Sequence, residues 1–124
     1  MQHSRYVAIV DDDTATREAL ARLLRAHGID SRNYPSARAF LEALSSNTPY
    51  CLIVDVHMPD MTGIELQREL LKRGVRLPTI VVTGHNDETI GATAKSLGAA
   101  AFLLKPLTYD ELMMALSSAV KRKN

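Results

Sequence analysis

Tyr50-Cys51-Leu52-Ile53-Val54, followed at once by Asp55, is the stretch that decides the fold. It is apolar throughout, as a central parallel strand covered on both faces must be, and a carboxylate stands at its carboxyl end. The same construction recurs along the chain. Val7-Ala8-Ile9-Val10 runs into Asp11-Asp12-Asp13, Thr79-Ile80-Val81-Val82 into Thr83-Gly84, and Ala101-Phe102-Leu103-Leu104 into Lys105-Pro106. Ile29 to Tyr34 reads as a weaker, polar strand near a sheet edge.

Between these runs the apolar spacing becomes helical. Ala19, Leu20, Leu23, Leu24 and His27 recur at helical intervals before a stop at Gly28. Pro35-Ser36 opens a second helix with Ala39, Phe40, Ala43 and Leu44 inward, and Ser45-Ser46-Asn47-Thr48-Pro49 is a loop by composition. Gly63 to Arg73 forms a third, with Ile64, Leu66, Leu70 and Leu71, closed by Gly74. Glu88 to Leu97 is a poor helix, because Thr89, Gly91 and Thr93 are weak formers and large apolar residues are few. Thr108-Tyr109-Asp110-Glu111 is a capping-box pattern that opens the last helix, with Leu112, Met113, Leu116 and Val120 facing in. Five strand–helix alternations predict an α/β fold, (βα)5, with a five-stranded parallel sheet and right-handed crossovers.

Size and composition agree with one domain and one core. The chain has 124 residues, 46% of them hydrophobic, and a formal net charge of +1. So even a balance argues against a nucleic-acid surface. The basic tail Lys121-Arg122-Lys123 reads as a solvated helix end, and the single cysteine, Cys51, as a core residue without a disulfide partner. No apolar stretch approaches the roughly 20 residues needed to cross a bilayer. Met1-Gln2-His3-Ser4-Arg5 leads directly into a strand without a signal-peptide core, so a soluble, cytoplasmic protein is expected.

Parallel strands of an open sheet present their carboxyl ends along one edge, where ligands bind. Asp11, Asp12, Asp55, Thr83 and Lys105 would therefore converge there. Three close carboxylates repel one another unless a cation intervenes, and Mg²⁺ is the natural one, being hard and content with few protein oxygens. Asp55 would then be the nucleophile towards a phosphoryl donor, forming an acyl phosphate. The cation and the Lys105 ammonium would offset charge on the transferred group, and the Thr83 hydroxyl could donate to it. Pro106 should bias the backbone at Lys105 towards extended geometry and so help aim the lysine. Singly, each residue has an ordinary account: an acidic turn, a helix cap, a surface lysine. Their joint occurrence at strand ends, in order, favours a site.

Val10-Asp11-Asp12-Asp13, Asp55-Val56-His57-Met58-Pro59-Asp60-Met61-Thr62-Gly63, Val82-Thr83-Gly84-His85 and Lys105-Pro106 together resemble the motifs of response-regulator receiver domains of two-component signalling. The likeness covers residues 5 to 121, so residues 1–124 are expected to be one receiver domain without an output domain. It implies a flavodoxin-like sandwich, with Asp55 taking phosphate from the phosphohistidine of a sensor histidine kinase. It also implies Mg²⁺ held by Asp11, Asp12, Asp55 and the backbone carbonyl of His57. Such a domain is not an enzyme on a separate substrate; it is a phosphoacceptor with self-catalysed transfer and autodephosphorylation. In the family, the residue at the Thr83 position moves with an aromatic three residues before the lysine, here Phe102, which lacks a hydroxyl. The face of the Glu88–Leu97 helix, the fifth strand and the last helix would carry the output, through an effector domain, a partner protein or a phosphorylation-dependent dimer. Two family-variable positions are histidines here, His57 and His85, and are expected to flank the site and tune phosphoryl lifetime. A transition-metal role for the pair is a lesser alternative, since imidazole suits zinc or nickel.

Rival readings fit less well. A haloacid-dehalogenase-type phosphatase wants a second Asp two residues after the nucleophile, where this chain has His57. A flavodoxin would cradle an FMN phosphate in its first loop, which Asp11-Asp12-Asp13 would repel. A degenerate receiver used only for docking lacks support, because every expected group is present; a stand-alone receiver working by docking is the alternative to one cut from a longer regulator. Thr83-Gly84-His85-Asn86-Asp87 resembles the same stretch in receivers of helix-turn-helix transcription regulators.

Overall fold

The computed structural model describes residues 6–44 and 48–122. Its elements run β1 (Tyr6–Val10), α1 (Thr14–Ala26), β2 (Asp30–Tyr34), α2 (Ala37–Leu44), β3 (Cys51–Asp55), α3 (Gly63–Lys72), β4 (Thr79–Thr83), α4 (Glu88–Ser96), β5 (Ala101–Leu104) and α5 (Tyr109–Arg122). All strand pairings are parallel, in the order β2-β1-β3-β4-β5. The three inner strands are buried at every residue, whereas the polar β2 and the short β5 form the edges. This is the expected (βα)5 flavodoxin-like sandwich.

Period-two alternation sorts the side chains of the inner strands into two cores. Ala8, Val10, Leu52, Val54 and Val81 pack with Phe40, Leu66, Leu70 and Ala94 under α2, α3 and α4. Val7, Ile9, Cys51, Ile53, Ile80 and Val82 pack with Leu20, Leu24, Leu112 and Leu116 under α1 and α5. Cys51 is buried there, and burial pushes its thiol up to about 12, as suits an inert core residue.

Caps set the helix starts. Asp13 accepts from the Thr16 amide at the head of α1. Thr62 and Glu65 form a reciprocal capping box on α3, a pair the sequence reading passed over. The expected box at α5 is present: Thr108 N donates to Glu111 Oε1 and Glu111 N to Thr108 Oγ1, each at 3.1 Å. The weak α4 buries only Gly91 and Ala94.

Several inward assignments shift. Helix α2 starts at Ala37 on the Ser36 cap and turns Ala37, Phe40 and Leu41 into the core, leaving Ala39 and Ala43 half-buried at its flank. Leu71 is 48% exposed, because Gly63, Leu66, Gln67 and Leu70 supply the buried stripe of α3. His27 lies exposed at the end of α1, where its ring stacks on Tyr109 at 4.1 Å. Strand β3 runs one residue later than the apolar run, to include Asp55. The inward assignment of Val120, the Lys121–Lys123 tail, the amino-terminal five residues and most of the Ser45–Pro49 loop lie outside the described side chains. Among the described residues no helix is long and apolar enough to cross a membrane.

Candidate functional site

The strand ends meet as the parallel topology requires. Asp11 directly follows the last residue of β1, Asp55 is the last residue of β3, and their carboxylates with that of Asp12 bring oxygens within 4.8 Å of one another. Asp11 and Asp55 are buried and Asp12 is exposed, so the group has one wet side. From the far end of the chain, Lys105 reaches in. Its Nζ donates to Asp11 Oδ2 at 2.8 Å and pairs with Asp55 Oδ1 at 3.2 Å. The lysine is held by its own amide, which donates to the Thr83 carbonyl at 2.8 Å.

The electrostatics follow from burial and crowding. Burial, then the neighbouring Asp11 charge, hold the Asp55 carboxyl above the usual carboxylate range, against the pull of Lys105. Burial alone would lower the Lys105 ammonium, but its hydrogen bond to Asp11 and the charges of Asp55 and Asp11 together hold it above its ordinary value. One ammonium does not balance three carboxylates. A hard divalent cation suits this all-oxygen donor set, and Mg²⁺ fits it.

Thr83 ends β4 one step beyond Val82, the register partner of Asp55, and is completely buried. Its Oγ1 accepts from the His85 amide at 3.2 Å, which leaves the hydroxyl proton to be donated elsewhere. The His57 and His85 side chains are exposed, and their rings meet edge to face at 5.2 Å, joining the β3–α3 and β4–α4 loops beside the site. Phe102 is not at the carboxylates. It pairs with Val81 in the sheet, half-buried against the first core, and lies against α4 at Gly91. The Lys105–Pro106 bond is cis, which the expectation of extended backbone there did not include.

Three supporting residues were given no role in the sequence reading, Asp60 and Gly63 standing there only within a motif or a helix span. Arg17 Nη1 donates to the Asp11 carbonyl at 2.7 Å and so steadies the β1–α1 loop from the first turn of α1. Asp60 takes φ +70°, and Met61 N donates to Pro59 O at 2.8 Å, making a three-residue turn that folds the β3–α3 loop back. Gly63 then brings α3 against β3: its amide donates to Val56 O at 3.0 Å, and a Cβ there would lie 2.4 Å from Asp55 O. The available signal was a glycine directly after the Thr62 cap, a place where helices need no special backbone freedom.

Comparison with known proteins agrees with this geometry. Residues 7–117 match the family model of the response regulator receiver domain. Response regulator protein TodT of Pseudomonas putida is 38% identical over 115 residues, covering 93% of this chain and 51% of TodT. Transcriptional regulatory protein FixJ of Azorhizobium caulinodans is 40% identical over 122 residues, covering 98% of this chain and 58% of FixJ. The chain thus spans about half the length of the curated relatives it matches. Among solved structures, the crystal structure of FixJ-N superposes with a TM-score of 0.88 at 35% identity, covering 98% of this chain and 96% of that one. A response regulator receiver protein from Burkholderia phymatum gives 0.83 at 38% identity, over 95% and 96% of the two chains.

Proposed function

This chain belongs to the response regulator receiver domain family, and from that premise we propose that Asp55 is its phosphoacceptor. Receiver domains pair with sensor histidine kinases and bind Mg²⁺ at an acidic cluster. The observation that carries the reading is the meeting of Asp11, Asp12 and Asp55 within 4.8 Å, with Lys105 bonded across them. A carboxylate oxygen of Asp55 attacks the phosphorus of a phosphohistidine; the new O–P bond forms as the P–N bond breaks, and imidazole leaves. Lys105 neutralises the charge on the transferred group, and the Thr83 hydroxyl donates to one of its oxygens. Asp11, Asp12, Asp55 and the His57 backbone carbonyl are the oxygens that would hold Mg²⁺, which supplies further charge neutralisation when bound. The domain is a self-modifying signalling unit, not an enzyme on a separate substrate, and works in the cytoplasm.

Occupation of Asp55 would draw Thr83 towards the phosphoryl group and let Phe102 repack against Gly91, so the signal leaves through α4, β5 and α5. An effector domain of a transcription regulator, outside residues 1–124, is the proposed recipient. It acts through a phosphorylation-dependent dimer or direct contact, while this domain touches neither nucleic acid nor membrane. His57 and His85, in ring contact beside the site, gate water and set the phosphoryl lifetime. Replacing both should change the dephosphorylation rate, and an unchanged rate would remove them from the scheme.

The deciding experiment is intact mass after incubation with acetyl phosphate. One phosphoryl group should be gained, dependent on Mg²⁺ and absent from Asp55→Asn. Equal labelling of that variant would overturn the assignment.

A further inference from the structure

His57 and His85 stand in separate loops, yet the strands behind them fix both. Asp55 of β3 is the register partner of Val82 in β4, and just beyond it Val56 N donates to Val82 O at 2.9 Å. His57 follows between Val56 and Met58, both buried, so its backbone is anchored on either side while its own side chain is exposed. His85 is tied by its amide, which donates to the Oγ1 of buried Thr83 at 3.2 Å, and its side chain is exposed too. The two ring centres lie 5.2 Å apart, with the planes at 83°.

That spacing is the one a shared tetrahedral ion would set. A zinc ion about 2.0–2.1 Å from a ring nitrogen stands about 3.2 Å from the ring centre, because the lone pair points directly away from that centre. Two imidazoles at the tetrahedral angle then have centres about 5.2 Å apart, against about 4.5 Å at the right angle of square-planar or octahedral coordination. The ring centre lies on the Cβ–Cγ axis, so turning χ2, a soft torsion, swings the nitrogens and leaves the spacing unchanged. We propose that His57 and His85 form a two-imidazole zinc site that fastens the β3–α3 loop to the β4–α4 loop. Imidazole suits zinc, whereas hard Mg²⁺ takes the carboxylate oxygens. Among the described residues the one group of three or more metal-ligating side chains is Asp11, Asp12 and Asp55, so water completes the coordination at the histidines. The ion would cross-link the loop after Asp55 to the loop after Thr83 without using the carboxylate site.

Zinc sulfate is the probe, titrated into the ¹⁵N-labelled, unphosphorylated chain while imidazole nitrogen resonances are followed. Excess MgCl2 is present throughout to occupy the carboxylates. The ring nitrogens of His57 and His85 should shift together on one saturable curve, complete below millimolar zinc, while those of His27 serve as the unshifted reference. His57→Ala and His85→Ala each change an exposed side chain, so the fold should hold. Each should weaken zinc binding at the remaining imidazole at least about tenfold, since one of two protein ligands is gone. Absence of saturable shifts at both rings up to millimolar zinc, separate curves for the two rings, or unweakened binding after loss of either imidazole would each overturn the proposal. Shifts that vanish as MgCl2 is raised would place the zinc on the carboxylates and overturn it as well. Because phosphorylation plays no part, failure here leaves the Asp55 assignment standing, and the acetyl phosphate assay, run without zinc, judges that separately.

Discussion

An alanine at position 63 would drive a carbon into the strand that carries Asp55. Its Cβ would sit 2.4 Å from Asp55 O, 3.0 Å from Asp55 C and 3.2 Å from Val56 Cα. Ordinary contact begins at about 3.4 Å, so roughly 1 Å must open between α3 and β3. The obstructing atoms are backbone of a central strand and cannot rotate aside. Overpacking of this kind costs about 1–3 kcal/mol. Stretching the bond from Gly63 N to Val56 O, now 3.0 Å, removes about 1 kcal/mol more. Alanine's better helix propensity returns up to about 1 kcal/mol. The net loss is about 1–3 kcal/mol, which in urea, at about 2 kcal/mol per molar, lowers the midpoint by about 0.5–1.5 M. A 1 Å displacement of a reacting group can cost about 100-fold in rate, so labelling by acetyl phosphate should slow at least tenfold. Gly28→Ala is the control: φ is +74° with nothing within 4 Å, so it should cost only about 1–2 kcal/mol of backbone strain and leave labelling intact. A Gly63→Ala protein with the parent's midpoint and labelling rate would refute the argument.

Three further outcomes are expected. Folding disfavours ionised Asp55, because burial and the Asp11 charge hold its carboxyl above the ordinary 3.8, so its stability contribution is lost as pH rises through the folded value. Without Mg²⁺, Asp55→Asn should therefore be more stable than the parent at neutral pH, the advantage fading as pH falls towards 3.8; urea midpoints across pH check it, and a less stable variant at neutral pH contradicts it. Asp12→Ala alters an exposed side chain, so the metal-free fold should hold. The gain from Mg²⁺, about 2.7 kcal/mol at a hundred times the parent's Kd, should shrink clearly, as melting curves with and without MgCl2 would report. In Gly91→Ala the new Cβ would lie 3.0 Å from Phe102 Cδ2, so the ring must give way. The overlap is opposed by up to about 1 kcal/mol of helix propensity, so stability should move by less than about 1 kcal/mol while the Phe102 ring and α4 amide resonances shift; unchanged resonances would show the two are not coupled.

What the chain determined by itself is local and periodic. Apolar runs of strand length ending in polar residues, alternating with helical spacing, are enough to imply a parallel sheet. A parallel sheet gathers its carboxyl ends whatever the helices do. Asp11, Asp55, Thr83 and Lys105 were legible for that reason, as was the capping box at Thr108 and Glu111. Packing decided the rest, because it depends on pairs far apart in sequence. The ammonium that joins Asp11 comes from 94 residues away. Which stripe of α2 and α3 faces inward followed from how each helix lies on the sheet, so Leu41 is buried and Leu71 is not. Gly63 reads as an ordinary helix start until β3 is placed 2.4 Å from its missing Cβ. Gln67 reads as surface until α4 covers it, its amide nitrogen donating to Ala94 O 27 residues on. Periodicity sets which faces are apolar, and only the contact between faces sets which polar atoms are left to do chemistry.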